Sequence, residues 1–170
     1  QAPWAAHFKM ESYVTRDLIE TVESAFPLRP QRAIFGHSMG GHGALTLGMR
    51  HADKFSSISA FAPISSPARC PWGEKAFAAY LGPDRESWKP HDAALLIEAG
   101  NARPFDDILI DQGLADQFLD SQLKPELLEA AAAMAGQKLT LRRHEGHDPS
   151  YFFMATFIAD HIAFHAARLA

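Results

Sequence analysis

The run Ile34-Phe35-Gly36-His37-Ser38-Met39-Gly40-Gly41 constrains this chain more than any other stretch. A short apolar segment leads into Gly-x-Ser-x-Gly, and a helix-forming segment follows. In that setting the pattern denotes a nucleophile elbow, a sharp strand-to-helix turn that holds a serine hydroxyl clear of the sheet. The turn strains the backbone at the serine, and side chains two positions to either side would collide with neighbouring elements. Glycines at 36 and 40 therefore have a mechanical reason to be there. Ser38 is the expected nucleophile.

The segments flanking the elbow alternate between helical and extended patterns. Residues 11–25 read as an amphipathic helix, with Val14, Leu18, Ile19, Val22 and Phe26 at helical spacing. Residues 32–35 read as a short buried strand, and residues 39–50 as a helix. In that helix Gly40, Ala44 and Gly48 form a stripe of small residues suited to close approach to a sheet. Further strands are expected at 55–62, 107–111 and 138–143, with helices at 122–135 and 151–169. On the last helix Phe153, Phe157, Ile158 and Ile162 mark the apolar side. Segment 63–105 is richer in Pro, Gly and Trp and reads as an excursion over the site, with short helices near 74–81 and 92–99. Strands alternating with helices imply an α/β fold with a mainly parallel, helix-covered sheet.

At 170 residues, residues 1–170 suit a single domain with a sizeable core. The net charge of −4 and the lack of any Lys/Arg cluster argue against a nucleic-acid partner. No apolar run approaches a membrane span. The single Cys70 excludes an intrachain disulfide and a cysteine-based zinc site, which fits a reducing, cytoplasmic compartment. The chain opens in loop-like Gln1-Ala2-Pro3-Trp4, and the expectation is a fragment of a longer protein.

A serine hydroxyl needs a neighbouring base, itself oriented by an acid. In an elbow hydrolase the acid follows a later strand and the histidine follows the last one. Asp111, Asp116 and Asp120 are the acid candidates. Asp111 sits at a strand end, where it could brace the loop through backbone N–H groups. Asp116 lies deeper in the loop and is the expected acid. For the base, His144 continues a strand as a face residue, whereas His147 lies in the turn before the last helix and is the expected choice. Asp148-Pro149 reads as the start of that helix, with Asp148 as N-cap. The Met39 amide, just after the nucleophile, is the expected oxyanion donor. Trp72, Phe77, Tyr80 and Trp88 are candidates to wall a pocket.

Nine histidines call for a metal check. His161 and His165 stand at i, i+4 but lack the glutamate of His-Glu-x-x-His. They read as surface or cap residues, and no metal site is expected.

The motifs taken together resemble the S-formylglutathione hydrolase family, also called esterase D, of the α/β-hydrolase fold. They include Phe35-Gly36-His37-Ser38-Met39-Gly40-Gly41-His42-Gly43-Ala44-Leu45, Ser59-Ala60-Phe61-Ala62-Pro63-Ile64 and Cys70-Pro71-Trp72-Gly73. Ile108-Leu109-Ile110-Asp111-Gln112-Gly113 and Asp116-Gln117-Phe118-Leu119 continue the match. The resemblance implies hydrolysis of the thioester S-formylglutathione to glutathione and formate, in formaldehyde removal, by a cytoplasmic and often homodimeric enzyme without a cofactor. It assigns Ser38 as nucleophile, Asp116 as acid and Met39 as an oxyanion donor.

Two departures stand out. The family's N-terminal strands, with the loop carrying the other oxyanion amide, have no counterpart in these residues. Its Gly-Tyr-Asp-His-Ser-Tyr motif reads here Gly146-His147-Asp148-Pro149-Ser150-Tyr151, so proline takes the histidine's place and His147 is the base by default. The alternative expectation is a catalytically impaired hydrolase-like module that acts in binding or dimerisation.

Overall fold

The computed structural model describes residues 1–170. Four strands, β1 (Ala33–His37), β2 (Ser57–Phe61), β3 (Ile108–Gly113) and β4 (Leu139–His144), form one sheet in chain order. Every neighbouring pair is parallel. Each crossover therefore has to carry a helix or a long connection.

Register divides the sheet into two unlike faces, because side chains alternate along a strand. Ile34, Ile58, Ile108 and Leu139 form one cross-strand row, and Gly36, Ala60, Ile110 and Leu141 form the next row on the same side. Helices α3 (Met39–Arg50), α5 (Ala93–Glu98) and α6 (Pro125–Ala135) contribute Leu45, Met49, Ile97 and Leu128 to the core with this face. The opposite side carries Phe35, Ser59, Leu109 and Thr140 in one row and His37, Phe61, Asp111 and Arg142 in another. Helix α7 (Tyr151–Ala166) lies there against β2 and β3.

The close approach of α3 is set by absent side chains. A Cβ on Gly48 would lie 2.5 Å from Ile58 Cδ1, and Ala44 is buried. At the elbow the glycines are unequal. A Cβ on Gly36 would lie 2.3 Å from the Gly40 carbonyl oxygen, whereas one on Gly40 would meet nothing. Gly36 is thus required by the backbone of Gly40, and the expected collision on both sides is found on one.

The segment at 63–105 holds α4 (Pro71–Tyr80) as well as α5. Asp92 caps α5 by accepting from the Leu95 amide at 3.1 Å, and it also accepts from Ser66 and Ala68. Buried Trp88 donates from Nε1 to the Gly82 carbonyl at 2.9 Å.

The first helical run differs from the expected single helix. It comprises α1 (Met10–Ser12), a π-helical stretch at Tyr13–Asp17 and α2 (Leu18–Ala25). Thr15 donates to the Glu11 carbonyl at 2.8 Å and Thr21 to the Asp17 carbonyl at 2.7 Å. Such back-bonding competes with the helical ladder and bends it. The apolar face of the run, with Val14, Leu18 and Val22, lines a groove of about 860 Å3 beside β1, where Phe35 is 48% exposed.

Helix α7 corrects two expectations. Ile162, expected on the apolar side, is 58% exposed. His161 and His165, expected as surface or cap residues, are buried on one stripe with buried Phe153 and partly buried Phe157. Hydroxyl and carboxylate groups on the sheet hydrogen-bond these imidazoles, so a histidine stripe is the matching surface here. The N-terminus differs too. Asp148 Oδ1 accepts from the Ser150 amide at 3.1 Å in a local turn, and Ser150 takes the cap position without a side-chain cap bond.

Candidate active site

The four strands run in one direction, so the loops at their C-terminal ends gather along one edge. Ligands of open parallel sheets bind at that edge. Ser38 follows β1, Asp116 follows β3 and His147 follows β4.

Ser38 has φ 54° and ψ −117°, in the positive-φ range that a side chain disfavours. Main-chain bonds hold it there. Its amide donates to the Phe61 carbonyl at 2.9 Å, and its own carbonyl accepts from His42 at 3.0 Å. This is the backbone of a nucleophile elbow. Met39 opens α3, where the first amides have no partner within the helix. The Met39 side chain is 76% exposed.

Asp116 is buried, and its Oδ1 accepts from the Phe118 amide at 2.8 Å. Burial pushes its pKa up, against the opposing effects of that hydrogen bond and of nearby His37; Asp148 adds to the rise. Burial also pushes the His37 imidazole down, and its Nε2 is buried with no partner.

The loops bearing Asp116 and His147 are joined through main chain. Leu114 N donates to the His144 carbonyl and Ala115 N to the His147 carbonyl, each at 2.9 Å. The approach depends on Gly113, where a Cβ would lie 2.4 Å from the His147 oxygen. The His147 ring rests among aromatic neighbours, with centroids 5.1 Å from Phe157, 5.7 Å from Phe153 and 6.0 Å from His144. No side-chain hydrogen bond joins Ser38, Asp116 and His147 to one another. Trp72 on α4 is half exposed. Its amide donates to Gln122 Oε1 at 3.0 Å, and its ring centroid lies 4.7 Å from that of Phe118, two residues after Asp116.

Asp111 braces its surroundings through side chains, and not through the backbone N–H groups that its strand-end position left open to it. Arg142 grips both of its oxygens, at 2.6 and 2.5 Å, and His144 and His161 each lie 3.1 Å away. Burial alone would raise its pKa. Hydrogen bonds from His161, Arg142 and His144, with the Arg142 charge, outweigh this and hold the carboxyl well below the usual range. One signal for this cluster lies in the residue spacing: His161 and His165 continue the i, i+4 series of Phe153 and Phe157.

No group of three or more His, Cys, Asp or Glu side chains is arranged to hold a metal ion. No helix is long and apolar enough to cross a membrane.

A parallel, helix-covered sheet matches what comparison with known proteins returns. The Esterase family model matches residues 1–164. The chain belongs to this esterase family. Among curated relatives, the S-formylglutathione hydrolase of Paracoccus denitrificans is 53% identical over 99% of this chain and 60% of its own length. That of Mus musculus is 50% identical over 98% of this chain and 60% of its own. The solved S-formylglutathione hydrolase from Agrobacterium tumefaciens superposes with a TM-score of 0.95 at 46% identity, covering all of this chain and 61% of that one. A ferulic acid esterase structure, at 21% identity and TM-score 0.75, shares the fold. The esterase chain described here thus spans about 60% of the length of the curated relatives it matches.

Proposed function

We propose that this esterase chain carries the nucleophile-bearing part of a thioester hydrolase acting on S-formylglutathione. The backbone of Ser38 carries this reading: its strained φ and ψ between β1 and α3 are what an exposed nucleophile requires. The names of the relatives supply the substrate.

In this reading Ser38 Oγ attacks the thioester carbonyl while the Met39 amide stabilises the developing oxyanion. The His147 imidazole takes the hydroxyl proton, oriented by Asp116, and passes it to the departing sulfur as the C–S bond breaks. Glutathione leaves as the thiol, and a formyl ester remains on Ser38. Water then attacks that ester, formate leaves, and the hydroxyl regains its proton. The His147 ring rests against Phe153 and Phe157, so the reading requires the turn at 145–150 to shift when substrate binds. Trp72 and Phe118 form the wall nearest the acid loop. The reading extends to a cytoplasmic homodimer that needs no cofactor.

The test is labelling by a fluorophosphonate together with hydrolysis of S-formylglutathione. An adduct on Ser38 is expected, and Ser38→Ala should lose the adduct and about 10⁴–10⁶-fold in turnover. Equal turnover in wild type and Ser38→Ala would overturn the reading.

A second reading rests on the same three residues. Because no hydrogen bond links Ser38, Asp116 and His147, the chain would serve as a catalytically impaired module that binds or dimerises. Folded protein that resists the probe yet sediments as a dimer would favour it.

A further inference from the structure

Beneath α7 lies an unbroken ladder of buried polar groups that the proposed chemistry does not use. Ser57 Oγ lies 2.7 Å from His165 Nδ1, and His165 Nε2 lies 2.7 Å from Ser59 Oγ. Ser59 Oγ lies 2.7 Å from His161 Nδ1, and His161 Nε2 lies 3.1 Å from Asp111 Oδ2. Every member is buried.

Proton counting orders the ladder. Asp111, gripped by Arg142, is ionised and only accepts, so His161 Nε2 must carry a hydrogen. Arg142 already gives Asp111 a full positive charge, since its other partner Asp160 is half exposed and served by water; a further charge on the fully buried His161 ring would carry a desolvation cost with no carboxylate of its own. A neutral His161 leaves Nδ1 as an acceptor, so the Ser59 hydroxyl donates to it. The one hydroxyl proton of Ser59 is then committed, and its oxygen accepts from His165 Nε2. His165 Nδ1 in turn accepts the Ser57 hydroxyl. Each tautomer follows from the one before it.

We propose that Ser57, His165, Ser59, His161 and Asp111 form a directed hydrogen-bond chain with both imidazoles neutral and protonated on Nε2, and that this chain seats α7 on the sheet in an acid-sensitive way. The groups facing His165 fit this reading. β1 offers the Phe35 ring, stacked at 5.7 Å, and β2 offers only hydroxyls. The charged and titratable neighbours are His161 and Arg168 on α7, with Asp111 on β3 and Arg142 and His144 on β4 reached through the ladder; Asp160 on α7 is bound to Arg142. None places a carboxylate on His165, so a proton there is uncompensated. Burial first, then His161 and Arg168, push its pKa down to about 4.

The sign follows directly. The unfolded ring titrates near 6.5, so the stabilisation from a neutral His165 is complete above that pH and is lost as pH falls toward about 4. Between pH 7.5 and 5 the folding equilibrium constant should drop roughly 10–30-fold through this residue.

The full chain labelled with nitrogen-15 tests both parts without reference to enzyme activity. Ring-nitrogen spectra at pH 7.5 should show Nε2–H tautomers at His161 and His165. An Nδ1–H tautomer at His165, or an imidazolium at His161, would overturn the proposal. Urea unfolding at pH 7.5 and 5 should show a weaker acid dependence in His165→Phe than in wild type, and equal dependence would overturn the acid-sensitive part. Ser59→Ala should lower the folding constant about 10–100-fold, and Ser59→Thr should recover part of it by keeping the hydroxyl. Should Ser59→Ala not fold, the wild-type spectra still decide.

Discussion

The two faces of this sheet solve the same packing problem with different chemistry. Under α3, α5 and α6 the rows are Ile, Leu and Ala, and any tight, apolar helix surface completes them. Under α7 the rows hold Ser57, Ser59, Asp111 and Arg142, and only a helix with imidazoles at the right two positions can match them. The first face is held by area removed from water, which is non-directional. The second is held by bonds that fail individually if the helix slides by one residue, so it fixes register as well as contact.

Breaking the polar face at its centre should give the largest effect. Asp111→Ala leaves Arg142 and two imidazoles facing a void, and a loss of about 3–5 kcal/mol is expected by urea unfolding. The matching cut on the apolar face is Ile110→Ala, one residue away and fully buried. It should cost about 2–5 kcal/mol, scaling with the cavity left behind. A double mutant of the two tests whether the faces are independent. Side chains on opposite faces share no partner here, and near-additivity is expected.

Acid offers a gentler probe. His42 on α3 is also pushed down to about 4 by burial, but its Nε2 has no partner, unlike either nitrogen of His165. Its folded pKa lies below its unfolded value, so its stabilisation is present above pH 6.5 and lost as pH falls toward about 4. The share is roughly 2–3 kcal/mol, read as a flatter acid limb in His42→Phe. The smallest effect is expected at Ile162→Ala. That residue adjoins His161 but faces solvent, and a change within about 0.5 kcal/mol should be found by thermal unfolding.

The same contrast explains what could be read from the chain alone. The apolar face was legible because alternating Ile and Leu leave one side for a buried strand, and strands β1 to β4 fall within a residue or two of their expected places. The elbow was legible because Gly36 and Ser38 answer to local backbone geometry. The polar face was not. A histidine pair at i, i+4 has the same spacing whether it meets water or a buried serine, and only the partner strand 100 residues earlier decides. Ile162 misled for the converse reason, since hydropathy names a residue's preference and not its neighbours. Asp148 has the chemistry of a helix cap, but the turn around Gly146 directs its carboxylate to Ser150 before the helix begins.

The torsions at Ser38 carry a consequence for how this sequence can drift. Glycine visits that region of backbone space freely, while serine is held there by its surroundings. Position 38 is thus a place where relaxation and the proposed chemistry pull in opposite directions: the replacement that eases the main chain is the one that deletes the hydroxyl.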